Sequence, residues 1–185
     1  MKKIARREIV VGVIGLGYVG LPLAVSFARK GVKTLGFEKS HKKAELVNAG
    51  KNYIGDVGDE ELRSVVAAGT LSATVDFSRI AECDAAIICV PTPLDKFKKP
   101  DMSFIEASCV DIGRGMKRGT FISLESTTYP TTTEDLMKPI IERESGMKEG
   151  VDFWLCFSPE RVDPGNKDYK TDNTPKVVGA LGKEA

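Results

Sequence analysis

A chain of 185 residues that is 42% apolar and 29% charged has the size and composition of one globular domain with its own core, so no disulfide framework or structural metal is needed to hold it. Its formal charge of +1 excludes a global field for nucleic acid or a membrane surface, and basic runs such as Lys2-Lys3 and Lys96 with Lys98-Lys99 read as solvated faces. Cys83, Cys89, Cys109 and Cys156 lack C-x-x-C spacing, Met1-Lys2-Lys3 leads into Arg6 and Arg7 instead of an apolar leader, and no apolar run has the length of a membrane span; the expectation is a cytoplasmic protein with reduced, buried thiols.

In chain order, Ile9 to Ile14 is apolar and β-branched, as a strand covered on both faces reads. Tyr18 to Lys30 carries Leu23 and Phe27 at helical spacing, with Gly31 as its stop. A second strand is expected at Lys33 to Phe37, followed by Ser40 as N-cap of a helix reaching Asn48-Ala49-Gly50. Leu62, Val65 and Val66 predict a helix over about Asp59 to Ala68, ended by Gly69. Ala85 to Val90 reads as the third strand, Ser103 as the cap of a helix to about Met116, and Phe121 to Leu124 as the fourth strand. Thr132-Thr133-Glu134 opens a helix to about Glu144, and Phe153 to Phe157 and Lys176 to Val178 read as closing strands. Strands alternating with helices imply an α/β, Rossmann-type doubly wound sheet, mostly parallel, with helices on both faces.

Between the first strand and the first helix stands Gly15-Leu16-Gly17-Tyr18-Val19-Gly20, a G-x-G-x-x-G in the context that gives it meaning. Gly15 permits the turn, Gly17 lets the backbone approach a pyrophosphate, and Gly20 lets helix and strand pack closely. Amides at the helix start then face the anion. Glu38, eighteen positions beyond Gly20 at the end of the second strand, matches the acid that accepts hydrogen bonds from an adenosine ribose. A carboxylate there repels a 2′-phosphate and favours NAD over NADP, against which Lys42 and Lys43 pull. An S-adenosylmethionine enzyme on a similar nucleotide fold also fits the fingerprint.

Three further segments fall at strand ends: Val90-Pro91-Thr92-Pro93, Glu125-Ser126-Thr127-Thr128-Tyr129-Pro130 and Ser158-Pro159-Glu160-Arg161. With the fingerprint, they resemble the UDP-glucose/GDP-mannose dehydrogenase family over about Ile9 to Gly179. Pro100 to Phe104, the Glu125 to Pro130 segment and Pro164-Gly165-Asn166 resemble most the members that act on UDP-N-acetylglucosamine, with UDP-N-acetylmannosamine dehydrogenases as neighbours. The resemblance implies that Gly15, Gly17, Tyr18, Val19, Gly20, Glu38 and Lys43, with Val90, Pro91, Thr92, Thr127 and Thr128, surround NAD. It further implies that Thr128 holds a water beside the substrate, that Glu160 activates the water that releases the acid, and that Arg161 binds the anionic substrate with its planar fork. Threonines before a helix also serve as caps, and Glu160 and Arg161 could simply pair with each other.

The reaction implied is oxidation of a UDP-sugar C6 alcohol to the uronic acid with two NAD, through a cysteine-bound intermediate. The family's nucleophile is expected beyond residue 185, in a second domain that follows a connecting helix. Residues 1–185 are therefore expected to be the NAD-binding Rossmann domain, binding NAD without turning over a UDP-sugar, and the complete enzyme a homo-oligomer. No metal is called for. Cys89 lies nearest the cofactor but sits in the core-like run Ile87-Ile88-Cys89-Val90. Two other readings remain open: a two-electron hydroxyacid-type dehydrogenase, for which the single histidine, His41, lies in the adenosine-side loop, and a non-catalytic module that senses NAD or pairs with a partner.

Overall fold

The structure is a computed structural model that describes residues 2–6, 8–160 and 174–182. After a short helix α1 (Lys2–Ala5), the chain alternates β1 (Val10–Ile14), α2 (Gly20–Arg29), β2 (Lys33–Phe37), α3 (His41–Asn48), α4 (Asp59–Ala67) and β3 (Leu71–Thr74). The second half is β4 (Ala85–Ile88), α5 (Ser103–Gly115), β5 (Thr120–Leu124), α6 (Lys138–Ser145), β6 (Phe153–Phe157) and β7 (Gly179–Ala180). The strands form one sheet in the order β3-β2-β1-β4-β5-β6-β7, parallel except for β7. The expected Rossmann-type doubly wound architecture is therefore present.

Alternation along each strand splits the core in two, because successive side chains leave a sheet on opposite faces. Val11 and Val13 of β1, with Ile87 of β4, pack against Leu21, Leu23 and Ala24 of α2 and Leu62 and Val65 of α4. Ile14, Leu35, Phe37 and Ile88 face the other way, onto Ile105, Cys109 and Ile112 of α5 and Ile141 of α6. Each fully buried side chain of this kind stabilises the fold by about 1.5–3 kcal/mol.

Four boundaries differ from expectation. β3, Leu71–Thr74, was not anticipated: Leu-Ser-Ala-Thr is short and weakly apolar, although Leu71 and Ala73 are buried in alternation. Ala85–Ile88 is consequently the fourth strand. Ser103 is the first helical residue of α5 and not its cap; Asp101 Oδ1 accepts from the Ser103 N–H at 3.0 Å instead. The helix after Thr132 starts as a π-helical turn, Thr132–Met137, and becomes α-helical only at Lys138. Pro139 has no N–H to give and its ring crowds the carbonyl four residues back, which the wider π spacing relieves. Finally, Val177 and Val178 are exposed, and the closing strand lies just after them, with Gly179 opposite Phe157 and Ala180 opposite Cys156. Ser40, by contrast, caps α3 as expected, its Oγ accepting from the Lys43 N–H at 3.4 Å.

All four cysteines are free and buried. Burial pushes the Cys83 and Cys109 thiols up to about 12 from an ordinary value of 9.0, and raises Cys89 and Cys156 as well. In the unfolded chain these thiols ionise near 9.0 while the fold keeps them protonated, so their stabilising contribution is complete below that pH and is lost between 9.0 and about 12. Each such thiol lowers stability by about 1.4 kcal/mol per pH unit in that window. Urea unfolding at pH 8 and pH 10 is expected to differ by about 3 kcal/mol from Cys83 and Cys109 together; equal stabilities would show that these thiols are open to solvent.

Candidate cofactor cleft

Chain order in the sheet reverses between β1 and β4, and ligands of open α/β sheets bind outside the carboxyl ends of strands at that point. A cleft of about 700 Å3 opens there. One wall is the turn from Gly15 to Val19 with the end of β2; the other is formed by the loops after β4 and β5, with Glu160 after β6.

The three glycines do different work. Gly15 sits at φ 90°, in the left-handed region, and a Cβ there would lie 2.9 Å from the Cys89 carbonyl oxygen. A Cβ on Gly20 would come within 1.8 Å of Gly15 O and 3.1 Å of Cys89 Cβ, so close packing at Gly20 is against the turn itself and the chain after β4. At Gly17 a Cβ would meet nothing within 4 Å and would stand in the cleft that this residue lines. Among the described residues, no hydrogen bond engages the backbone N–H groups of Gly17, Tyr18 or Val19. This array of bare amides ahead of α2 has the chemistry that a diphosphate requires.

At the end of β2 the Glu38 carboxylate accepts from the Leu16 N–H at 3.3 Å through Oε2 and from the Ser40 N–H at 3.1 Å through Oε1. An ionised carboxylate has about four lone-pair sites, so both oxygens keep capacity for a pair of ribose hydroxyls. Lys39, Lys43, Tyr53 and Ile54 complete this end, with the Lys43 ammonium 5.8 Å from the centre of the Tyr53 ring.

The other end is stitched by side chains. Thr92 Oγ1 donates to Thr127 O at 2.8 Å and Ser126 Oγ donates to Val90 O at 2.7 Å, tying the loops after β4 and β5 together. Glu125, only 7% exposed, forms an ion pair with Lys176. The Cys89 thiol is pushed up by burial first and by the Glu125 charge second, the opposite of an activated nucleophile.

Of the residues singled out from sequence, Gly15, Gly17, Tyr18, Val19, Glu38, Lys43, Val90, Pro91, Thr92, Thr127 and Glu160 line this one cleft. Gly20 lies beneath it as a packing residue. Thr128 does not line it: its hydroxyl is 2.7 Å from that of Thr132. Arg161 and Pro164-Gly165-Asn166 lie outside the described residues. His41 is the first, exposed residue of α3. Sequence reasoning missed Tyr53, Phe77 and Ser108 as lining residues, because they come from segments with no motif, and Phe104, which it read only as part of the Pro100 to Phe104 segment; the apolar Tyr53-Ile54 pair between two helices was the available signal.

Residues 9–185 match the NAD-binding domain of the UDP-glucose/GDP-mannose dehydrogenase family. The chain belongs to that family. It is 38% identical over 171 residues to UDP-N-acetyl-D-glucosamine 6-dehydrogenase of Salmonella typhi, covering 92% of this chain and 39% of that protein. It is 33% identical to UDP-N-acetyl-D-mannosamine dehydrogenase of Pyrococcus horikoshii, covering 95% and 42%. The crystal structure of GDP-mannose dehydrogenase from Pseudomonas aeruginosa superposes with a TM-score of 0.88 at 32% identity over 94% of this chain and 41% of that one. The chain thus spans about two fifths of the length of these dehydrogenases, and what it shares with them is the NAD-binding domain with its Rossmann fold. Among the described residues no helix is long and apolar enough to cross a membrane.

Proposed function

We propose that this domain binds NAD across the cleft and serves, within a complete protein, as the cofactor half of a 6-dehydrogenase for a UDP-N-acetylhexosamine, with UDP-N-acetylglucosamine the leading candidate. The observation that carries this reading is the single cleft that joins the glycine turn and Glu38 to Thr92, Thr127 and Glu160. The residues fit the cofactor: the amides of Gly17, Tyr18 and Val19 would take the diphosphate, Glu38 the adenosine ribose, and Val90, Pro91, Thr92 and Thr127 the far half. NAD, when bound, supplies the hydride acceptor for oxidation at C6.

The chain's own groups divide the remaining work. Glu160, partly buried at the end of β6, is proposed as the general base that takes a proton from the hydrolytic water. Arg161 is proposed to engage the anionic substrate. A water-holding role falls more naturally to Thr127, which lines the cleft, than to Thr128, whose hydroxyl is engaged with Thr132. Cys83, Cys89, Cys109 and Cys156 are all buried with raised thiols, so the nucleophile is proposed to come from outside residues 1–185. The sugar is supported by the names of relatives such as the Salmonella typhi enzyme and by the segments Pro100 to Phe104 and Glu125 to Pro130.

Calorimetric titration of the 185-residue chain is expected to show NAD binding at least about tenfold tighter than NADP, since a 2′-phosphate would meet the Glu38 carboxylate. Adding UDP-N-acetylglucosamine is expected to produce no reduced nicotinamide. A preference for NADP would refute the ribose assignment, and turnover would refute the placement of the nucleophile elsewhere.

A further inference from the structure

We propose that Tyr53 is a positioning residue for the diphosphate-facing turn, acting through the peptide that joins Leu16 to Gly17. The inference rests on the NAD reading above. Leu16 is held at both of its backbone polar groups by side chains remote in sequence: its N–H donates to Glu38 Oε2 at 3.3 Å, and its C=O accepts from the Tyr53 hydroxyl at 2.7 Å. Its side chain is fully buried and occupies the space above Gly36, where an added Cβ would lie 2.7 Å from Leu16 Cδ1. Side chain, N–H and C=O are therefore all fixed.

A trans peptide is planar, so its C=O and the N–H that follows point to opposite sides. Holding Leu16 O on Tyr53 turns the Gly17 N–H away from Tyr53 and sets the first amide of the donor array. Without the hydroxyl, the Leu16–Gly17 plane can rotate, and the array has to be ordered as the anion arrives, a cost that preorganisation removes. The donor persists across physiological pH: burial first, and the Glu38 charge second, push the ionisation of Tyr53 well above the ordinary tyrosine range. Tyr53 also lines the cleft with its ring, close to Lys43. The hydroxyl and the ring thus have separable jobs, the first toward the diphosphate-binding turn and the second toward the adenosine.

Tyr53→Phe removes the hydroxyl and keeps the ring. Titrating wild type and variant with NAD, ADP and adenosine, the nucleoside by ligand-observed NMR, is expected to show NAD and ADP weakened about five- to tenfold while adenosine is unchanged within about twofold. Circular dichroism spectra of the two proteins are expected to coincide. A merely structural role would lower the melting temperature without distinguishing ADP from adenosine. Undiminished ADP affinity, or an equal loss for adenosine, overturns the proposal. Failure of the wild type to bind NAD overturns the cofactor reading itself, and the role of Tyr53 with it.

Discussion

Gly20→Val is expected to destabilise the domain by about 3 kcal/mol or more and to abolish measurable NAD binding. The reason is geometric. A Cβ at this position would fall 1.8 Å from Gly15 O, a backbone atom that cannot swing aside as a side-chain tip can, and 3.1 Å from Cys89 Cβ. Either α2 lifts off the sheet or the Gly15 turn is rebuilt. The first exposes Leu21, Leu23 and Ala24, now buried against Val11 and Val13; the second breaks the 2.8 Å hydrogen bond from the Gly15 N–H to Phe37 O. Urea denaturation together with NAD titration checks this, and a variant of wild-type stability would show that the turn is far softer than its contacts indicate.

Gly17→Val is expected to produce an equally large loss of NAD affinity, at least about a hundredfold, with stability within about 0.5 kcal/mol of wild type. Nothing stands within 4 Å of a Cβ at Gly17, and its φ is not in the left-handed region, so the fold has room for the side chain. The ligand does not. The new methyl groups project into the cleft where a diphosphate would have to touch main chain. The pair forms an internal control: two glycines three positions apart, one needed by the protein and the other by the cofactor. Retained NAD affinity in Gly17→Val would place the diphosphate elsewhere.

How much of this was readable beforehand depended on the kind of signal. β1 and β4 announce themselves because strands buried on both faces read as continuous apolar runs, and Ser40 announces a helix start because its hydroxyl satisfies an amide that the helix leaves open. β3 did not announce itself: it is a four-residue edge strand in which only Leu71 is large and apolar, and its pairing with β2 is a tertiary fact. The π-helical turn before Pro139 was equally hidden, since a proline marks a disturbance without saying how the backbone accommodates it. In the cleft, the motif residues that line it could be picked out because they stand at fixed spacing at strand ends. Tyr53 could not be, because its hydroxyl reaches the Leu16 carbonyl 37 positions away, a closeness that only the folded chain creates. Thr127 and Thr128 show the limit from the other side: of two neighbouring residues of one type, only the folded chain shows that Thr127 lines the cleft while the Thr128 hydroxyl meets that of Thr132.

The sheet tapers at both margins. Among the described residues the marginal strands are short, four residues in β3 and two in β7, and β7 runs against the direction of the other six. Unpaired rows of main-chain donors and acceptors are templates on which a foreign strand can add, and a row this brief offers too few rungs for an intruder to hold. Edges this short give interior strands rich in valine, isoleucine and phenylalanine little main chain through which copies of the domain could stack.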